Sequence, residues 1–453
     1  MKASAFLILF ITCFALGNAQ NESDQETQSQ LKSYFKNAVI NGRIRNFTMA
    51  TYNQGSLQDY STNATGGVIN FKTLAFKGFQ AGIQASFTYK TIGNELESID
   101  PIVGRGDKWE FELYDVFNKG QFNHLVRLDE LYLKYQVGNY YVSYGKIKTE
   151  YTRIINASDG RMNRFAHAGA WMHLNFDSPH SLDMGWLNRV SPRSSYDWFD
   201  FQDAFGLVNQ GFQPNGDDAN YRNFYPSKGI AVVNYGFVGN NLNFHFYNFL
   251  IDKISNISWF EADFTYQSYK IGIQYSHSRP LDYGDQLNYV NRYLQPDEEA
   301  NVISSELIWF NSNWKIGVAY THAMDTGRFL FPKEIGRDNF YTSIPRSRLE
   351  GLGGVDVFTF KIDYHSLSPN MKIGFNYQDL SGAEVGDFHF IKYNIDSTRQ
   401  FNTQLTYSPK GFFKGLSFEL LWVYIENKNE KQPELFFNRS NFHQLNFVTN
   451  FYF

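Results

Sequence analysis

Asn441–Phe453 reads N-F-H-Q-L-N-F-V-T-N-F-Y-F. Apolar residues recur at every second place, at Leu445, Phe447, Phe451 and Phe453, with Gln444, Asn446, Val448, Asn450 and Tyr452 between them. A period of two makes a strand with two unlike faces. The strand runs to an aromatic residue with no polar tail, and an exposed apolar edge of this kind invites aggregation in a soluble sheet. In a transmembrane β-barrel the same strand pairs with the first one and removes both edges. The competing reading is the last strand of a soluble β-sandwich.

The rest of the chain decides between them. It has 453 residues, a net charge of -4, and 18% aromatics including 44 Phe and 30 Tyr, yet its mean hydropathy is -0.42. A wall with lipid outside and water inside needs both aromatic and polar residues. The charge argues against a nucleic-acid partner. After residue 16 no stretch runs to the roughly 18 apolar residues of a membrane helix.

Phe79, Ala81, Ile83, Ala85, Phe87 and Tyr89 alternate with Gln80, Gly82, Gln84, Ser86, Thr88 and Lys90. The pattern returns at Leu131–Val137, Tyr269–Ser276 and Trp314–Tyr320. Val68–Phe76 and Gly78–Lys90 read as the first clear hairpin, turning at Lys77-Gly78, since Gly tolerates positive φ. Tight turns also fall at Gly138-Asn139, Ser178-Pro179, Gly239-Asn240, Gln267-Ser268, Ser312-Asn313, Pro369-Asn370 and Pro409–Gly411. Between them lie longer polar connections: Asn53–Asn63, Thr91–Val126, Thr149–Ala166, Ser191–Pro226, Arg279–Asn301, Met324–Gly354, Leu380–Ser397 and Asn427–Arg439. Only the connection near Asp252–Ser255 is short. Alternating short and long connections are the layout of an outer-membrane barrel, with turns at one end and loops at the other. The reading is all-β: a transmembrane antiparallel β-barrel of about eighteen strands, with sixteen as the alternative, and inward-folded loops narrowing its pore.

Residues 1–19 read as a signal peptide, from Lys2 through the apolar Ala5–Leu16 to the small-x-small site Gly17-Asn18-Ala19. Residues 20–37 form a polar spacer, acidic and Gln-rich over Gln20–Gln30. Residues 38–453 are the barrel domain. The only cysteine, Cys13, lies in the apolar run, so no disulfide is expected. Trp171, Trp186, Trp259, Trp314 and Trp422 fall near strand ends or on lipid-facing registers and read as interfacial girdle residues.

Glu130–Met162 supplies a family resemblance. A strand, a turn, a strand and then a loop carrying Asp159-Gly160-Arg161-Met162 resemble OprD-type outer-membrane porins. Arg43–Phe79, ending in Ala75-Phe76-Lys77-Gly78-Phe79, resembles the family's opening, and Ser191-Pro192-Arg193 is a weaker match. The resemblance covers about residues 38–195 in detail; beyond them it rests on the rhythm of strands and loops. It implies a substrate-selective channel in the outer membrane of a Gram-negative bacterium. The solutes implied are small and hydrophilic, anionic or carboxylate-bearing, with basic side chains along the path. The partners expected are outer-membrane lipids, the solutes, and the barrel assembly machinery through the terminal Phe453; the chain would act as a monomer or a trimer, without a cofactor.

The candidate filter is the loop Thr149–Ala166. With the strand end before it, this stretch carries Lys146, Lys148, Arg153, Arg161 and Arg164 against Glu150 and Asp159. A basic ring at a narrow point attracts anions, and Arg grips a carboxylate with two parallel hydrogen bonds without losing its proton. Arg153, Arg161 and Arg164 are expected beside the solute, with Asp159 orienting an Arg or tightening the turn at Gly160. The pore wall is expected to carry Arg43, Arg45, Lys72, Lys134 and Arg189, because a cation facing lipid at the bilayer midplane costs roughly 2–4 kcal/mol. G-x-S-x-G and H-E-x-x-H are absent, which leaves a barrel lipase or protease, or an adhesive barrel, as the other classes.

Overall fold

The computed structural model describes residues 34–158, 160–176 and 179–453; the expected signal peptide, most of the polar spacer and Asp159 lie outside the described residues. Among the described residues nineteen strands form one sheet. One is the two-residue Phe199–Asp200 at the rim, and the other eighteen run antiparallel round a closed barrel. No helix among the described residues is long and apolar enough to cross a membrane.

Closure is made by the C-terminal stretch Asn441–Phe453. Phe442–Tyr452 pairs with Val39–Asn53 from Arg43↔Tyr452 to Asn53↔Phe442, and Gly42 and Phe453 exchange backbone hydrogen bonds of 3.0 and 3.2 Å. Leu445, Phe447 and Phe451 face out, while Gln444, Asn446 and Asn450 are buried inside. Gln444 and Asn446 meet Arg346 of an inward-folded loop, and Asn450 is paired with its wall neighbours Arg45 and Glu419.

The hairpin that turns at Lys77-Gly78 is present as Tyr60–Lys72 paired with Phe79–Gly93, with different strand bounds, and an earlier pairing precedes it. That earlier pairing is Val39–Asn53 with Tyr60–Lys72. The second strand ends at Lys72 rather than Phe76. Its start is hard to read because the outward positions Ser61, Asn63 and Thr65 are polar, so the alternation has no apolar side. The turn at Lys77-Gly78 is as read, with both residues at positive φ (47° and 87°). The short external hairpin Ile251–Ser255 and the long connections alternate with tight turns as expected, apart from the turn at Ser178-Pro179, where Ser178 lies outside the described residues.

Of the five tryptophans, Trp186 and Trp314 are exposed on the outer surface, and Trp422 stacks on the exposed His443. Trp171 and Trp259 point inward and are fully buried. Trp259 stacks on Phe340 of an inward loop at 4.2 Å, and Trp171 reaches Asp183 Oδ1 across the wall. Their registers face the lumen, where loops supply an apolar cover that a strand pattern cannot reveal.

Candidate pore constriction

Three long connections fold into the barrel and meet. Residues 324–354 cross the lumen and bind the wall at several points. Tyr341 donates to Asp263 Oδ1 at 2.6 Å, the Tyr341 carbonyl accepts from Lys361 Nζ at 2.6 Å, and the Pro345 carbonyl accepts from Asn402 at 3.1 Å. Residues 148–165 lie against this crossing: Arg337 N–H donates to the Ile154 carbonyl at 3.0 Å and Asn156 donates to the Arg337 carbonyl at 2.7 Å. The approach requires Gly336, where a Cβ would stand 2.0 Å from the Ile154 carbonyl oxygen. Residues 94–124 bring Lys108, Trp109 and Glu112 to the same place.

Two cavities flank the crossing. The outer one, about 600 Å³, is bounded by loop residues such as Lys108, Glu112, Arg193, Phe331 and Arg439. The inner one, about 290 Å³, is bounded partly by wall residues, including Arg45, Glu419 and Asn446. Arg337, Arg346 and Arg348 line both cavities, so a solute passing from one to the other meets these three guanidinium groups. Arg346 donates to Asn446 Oδ1 at 2.9 Å and also to Gln444, while its guanidinium lies 5.5 Å from the centre of the Trp109 ring. Arg348 donates to the Ile344 carbonyl at 2.6 Å.

The electrostatics are lopsided. Burial, with Arg161 beside it, works strongly against the charge of Arg346, and burial with Arg348 does the same to Arg337. A guanidinium keeps its proton under such pressure, so the cost becomes attraction for an anion. Nearby acids are pushed the other way. Burial raises the Asp338 carboxyl against the pull of Arg348, and burial with Asp107 raises Glu110 well above the usual range. Glu112 is the exception. Burial opposes its charge, yet Arg161, Arg193, Lys108 and Arg346 together hold its carboxyl far below the ordinary value. Burial also pushes Lys108 down to about 8.

Arg161 is fully buried in this cluster, with its Nε 2.8 Å from Glu112 Oε2. Its carbonyl accepts from Arg45 Nη1 at 2.7 Å, and Arg45 Nε donates to Asn450 at 2.8 Å. The wall arginine therefore holds the backbone of the loop arginine. Arg153 stands apart, forked onto Glu261 of the wall, and Arg164 gives its carbonyl to Arg127 at 2.8 Å beside Glu130. Arg43 shares the inward face of Arg45 and is half-buried. Lys72 and Lys134 are neighbours on the wall, Lys134 lying 3.7 Å over the Tyr141 ring.

Arg189 is a correction. The pairing runs Gly169↔Leu187 and then Ala168↔Arg189, so Asn188 is an extra residue. This bulge reverses the facing beyond it. Val190 is buried inside, and Arg189 turns outward to Asp200 at 2.9 Å. Lys146 also lies on the outer face, on the same register as the exposed Val142 and Tyr144. The strand reading also missed Arg337, Arg346 and Arg348, which belong to a connection with no recognisable motif. Their crowding with Lys333 in one long connection was the available signal.

The fold can be compared with solved structures. Pseudomonas aeruginosa OccK9 (OpdG) superposes with a TM-score of 0.72 at 12% identity, covering 92% of this chain and 99% of that one. The chain has the fold of the OprD-type outer-membrane porins. Acinetobacter baumannii OccAB2 gives 0.71 at 12% identity over 93% of this chain and 99% of its own. Pseudomonas aeruginosa OccK8 (OprE) gives 0.69 at 14% over 93% and 99%. No sequence family and no curated protein matches the chain. The outward apolar residues and inward polar residues of this barrel agree with a wall that has lipid outside and water inside.

Proposed function

We propose that this porin is a substrate-selective diffusion channel for small hydrophilic solutes that carry an anionic group, a carboxylate above all. The observation that carries the reading is the position of Arg337, Arg346 and Arg348 between the two cavities. A carboxylate entering from outside meets Lys108 and Arg193, then the three arginines, then Arg45 on the inner side. Arg161, held by Glu112, stands at the edge of this path and positions the loop that narrows it; Arg153 and Arg164 brace the same loop. A hydrogen bond to a charged group is worth about 1.5–3 kcal/mol, enough to hold an anion in the narrow passage, and several such contacts in series let it move on.

The test is the triple variant Arg337→Gln, Arg346→Gln, Arg348→Gln in planar bilayers. Its reversal potential in a salt gradient should move toward cations, and carboxylate uptake into vesicles should fall by roughly ten-fold or more. The shift should persist at high salt, because charges in a narrow passage are poorly screened. Wild-type ion preference in the folded variant would remove the proposal. A parallel triple change at Arg153, Arg161 and Arg164 separates the two loops: a larger effect there would make residues 148–165 the filter.

A further inference from the structure

On the outer surface of the wall, Lys146 and Arg189 flank Ala168 in one row, through the pairs Lys146↔Ala168 and Ala168↔Arg189. With strands about 4.8 Å apart, their Cα atoms stand about 10 Å from each other. Below them on the same face are the exposed rings Tyr144 and Trp186, 65% and 40% accessible. Rings at this position mark the level where hydrocarbon gives way to headgroups. Trp198 lies over Lys146, with Nζ 4.5 Å from its ring centre.

The local backbone is built to hold this arrangement. Asp129 is an extra residue in the pairing of Leu125–Val137 with its neighbour, between Ala85↔Leu128 and Gln84↔Glu130. The Leu128 carbonyl beside this bulge accepts from both Lys146 Nζ, at 3.2 Å, and Trp198 Nε1, at 3.0 Å. The second bulge, at Asn188, is what turns Arg189 outward. Two bulges and a shared carbonyl therefore place two cations and an indole together just above the aromatic girdle. The exposed acid here is Asp200, its side chain 71% accessible and paired with Arg189; Asp129, which also acts on Lys146, is buried and paired with Arg127. An ion pair as open to solvent as Arg189 with Asp200 is weak and exchanges easily.

We propose that Lys146, Arg189 and Trp198 form a site for the phosphate of an outer-leaflet glycolipid. The lysine and the guanidinium reach the phosphate from either side, the long stems of both lie along the apolar wall, and the indole packs against the lipid's sugar or upper acyl carbons. A lipid rather than a dissolved anion is the occupant because the site stands on the lipid-facing wall directly above its apolar surface. Dissolved solutes meet the loops and the lumen instead.

The experiment is native mass spectrometry of the purified barrel in detergent with added bisphosphorylated lipid A, and with the same glycolipid stripped of its phosphates. The phosphorylated lipid should remain bound and the stripped one should not. Lys146→Gln and Arg189→Gln should each lower retention about five-fold, and together about thirty-fold, at about 1 kcal/mol per cation near a charged membrane surface. Arg399→Gln, another cation on the outer wall paired with Asp379, should change nothing. Heat-dependent migration in SDS confirms that each variant is folded. Equal retention of the two glycolipids, an unchanged double variant, or an equal loss from Arg399→Gln would overturn the site. Displacement of the glycolipid by excess inorganic phosphate would overturn its assignment to lipid.

Discussion

Glu112 holds Arg161 and Arg193 with one carboxylate. In the outer cavity it is an internal anion that a solute carboxylate must compete with. Glu112→Gln should therefore make the pore more anion-selective in reversal-potential measurements, while Glu112→Asp, with a shorter reach, should fall between. Lys108 gives a pH signature. Its ammonium is pushed down to about 8 by burial, so it is charged below that pH and neutral above it. Anion preference should decline between pH 7 and pH 9, and Lys108→Met should abolish the decline. A flat pH profile in the wild type would show that Lys108 does not contribute to the field of the passage.

At the scale of elements, what was legible and what was not divides by physics. Strands could be read because a lipid-facing side and a lumen-facing side impose a period of two, and the closing strand Phe442–Tyr452 follows it throughout. The turns could be read because Lys77-Gly78 needs positive φ. The bulges at Asp129 and Asn188 could not, since an extra residue leaves composition unchanged while reversing every side chain beyond it; Arg189 was lost that way. Trp171 and Trp259 were misplaced because the apolar surface covering them belongs to distant loops. For the filter, the loop of Arg161 carries a family-like motif, while the crossing of residues 324–354 depends on pairwise fits such as Gly336 against Ile154. If that crossing is the narrow point, deleting residues 342–348 should raise single-channel conductance several-fold and erase ion preference, with the barrel still resisting SDS until heated. Unchanged conductance would place the barrier elsewhere.

For the whole molecule, closure is the property from which the others follow. A sheet with no free edge should resist SDS and migrate differently after boiling. Removing Phe453, whose backbone pairs with Gly42, should lower the yield of this heat-modifiable form far more than Asn429→Ala in an external loop. Equal yields would count against the terminal strand as the determinant of assembly.

Arg45 joins three parts of the chain: the first strand that carries it, Asn450 on the last strand, and the carbonyl of Arg161. Arg346 likewise rests on Gln444 and Asn446 of the last strand. The sieve is thus fastened to the seam where the two ends of the chain find each other. Its other anchors, at Asp263, Lys361 and Asn402, stand elsewhere on the wall, but this footing exists only once the ring is complete, so discrimination between solutes is the last thing the protein acquires as it is made. A ring that has gathered all its strands but one would leak without choosing, and the same event that seals the wall also gives the pore its selectivity.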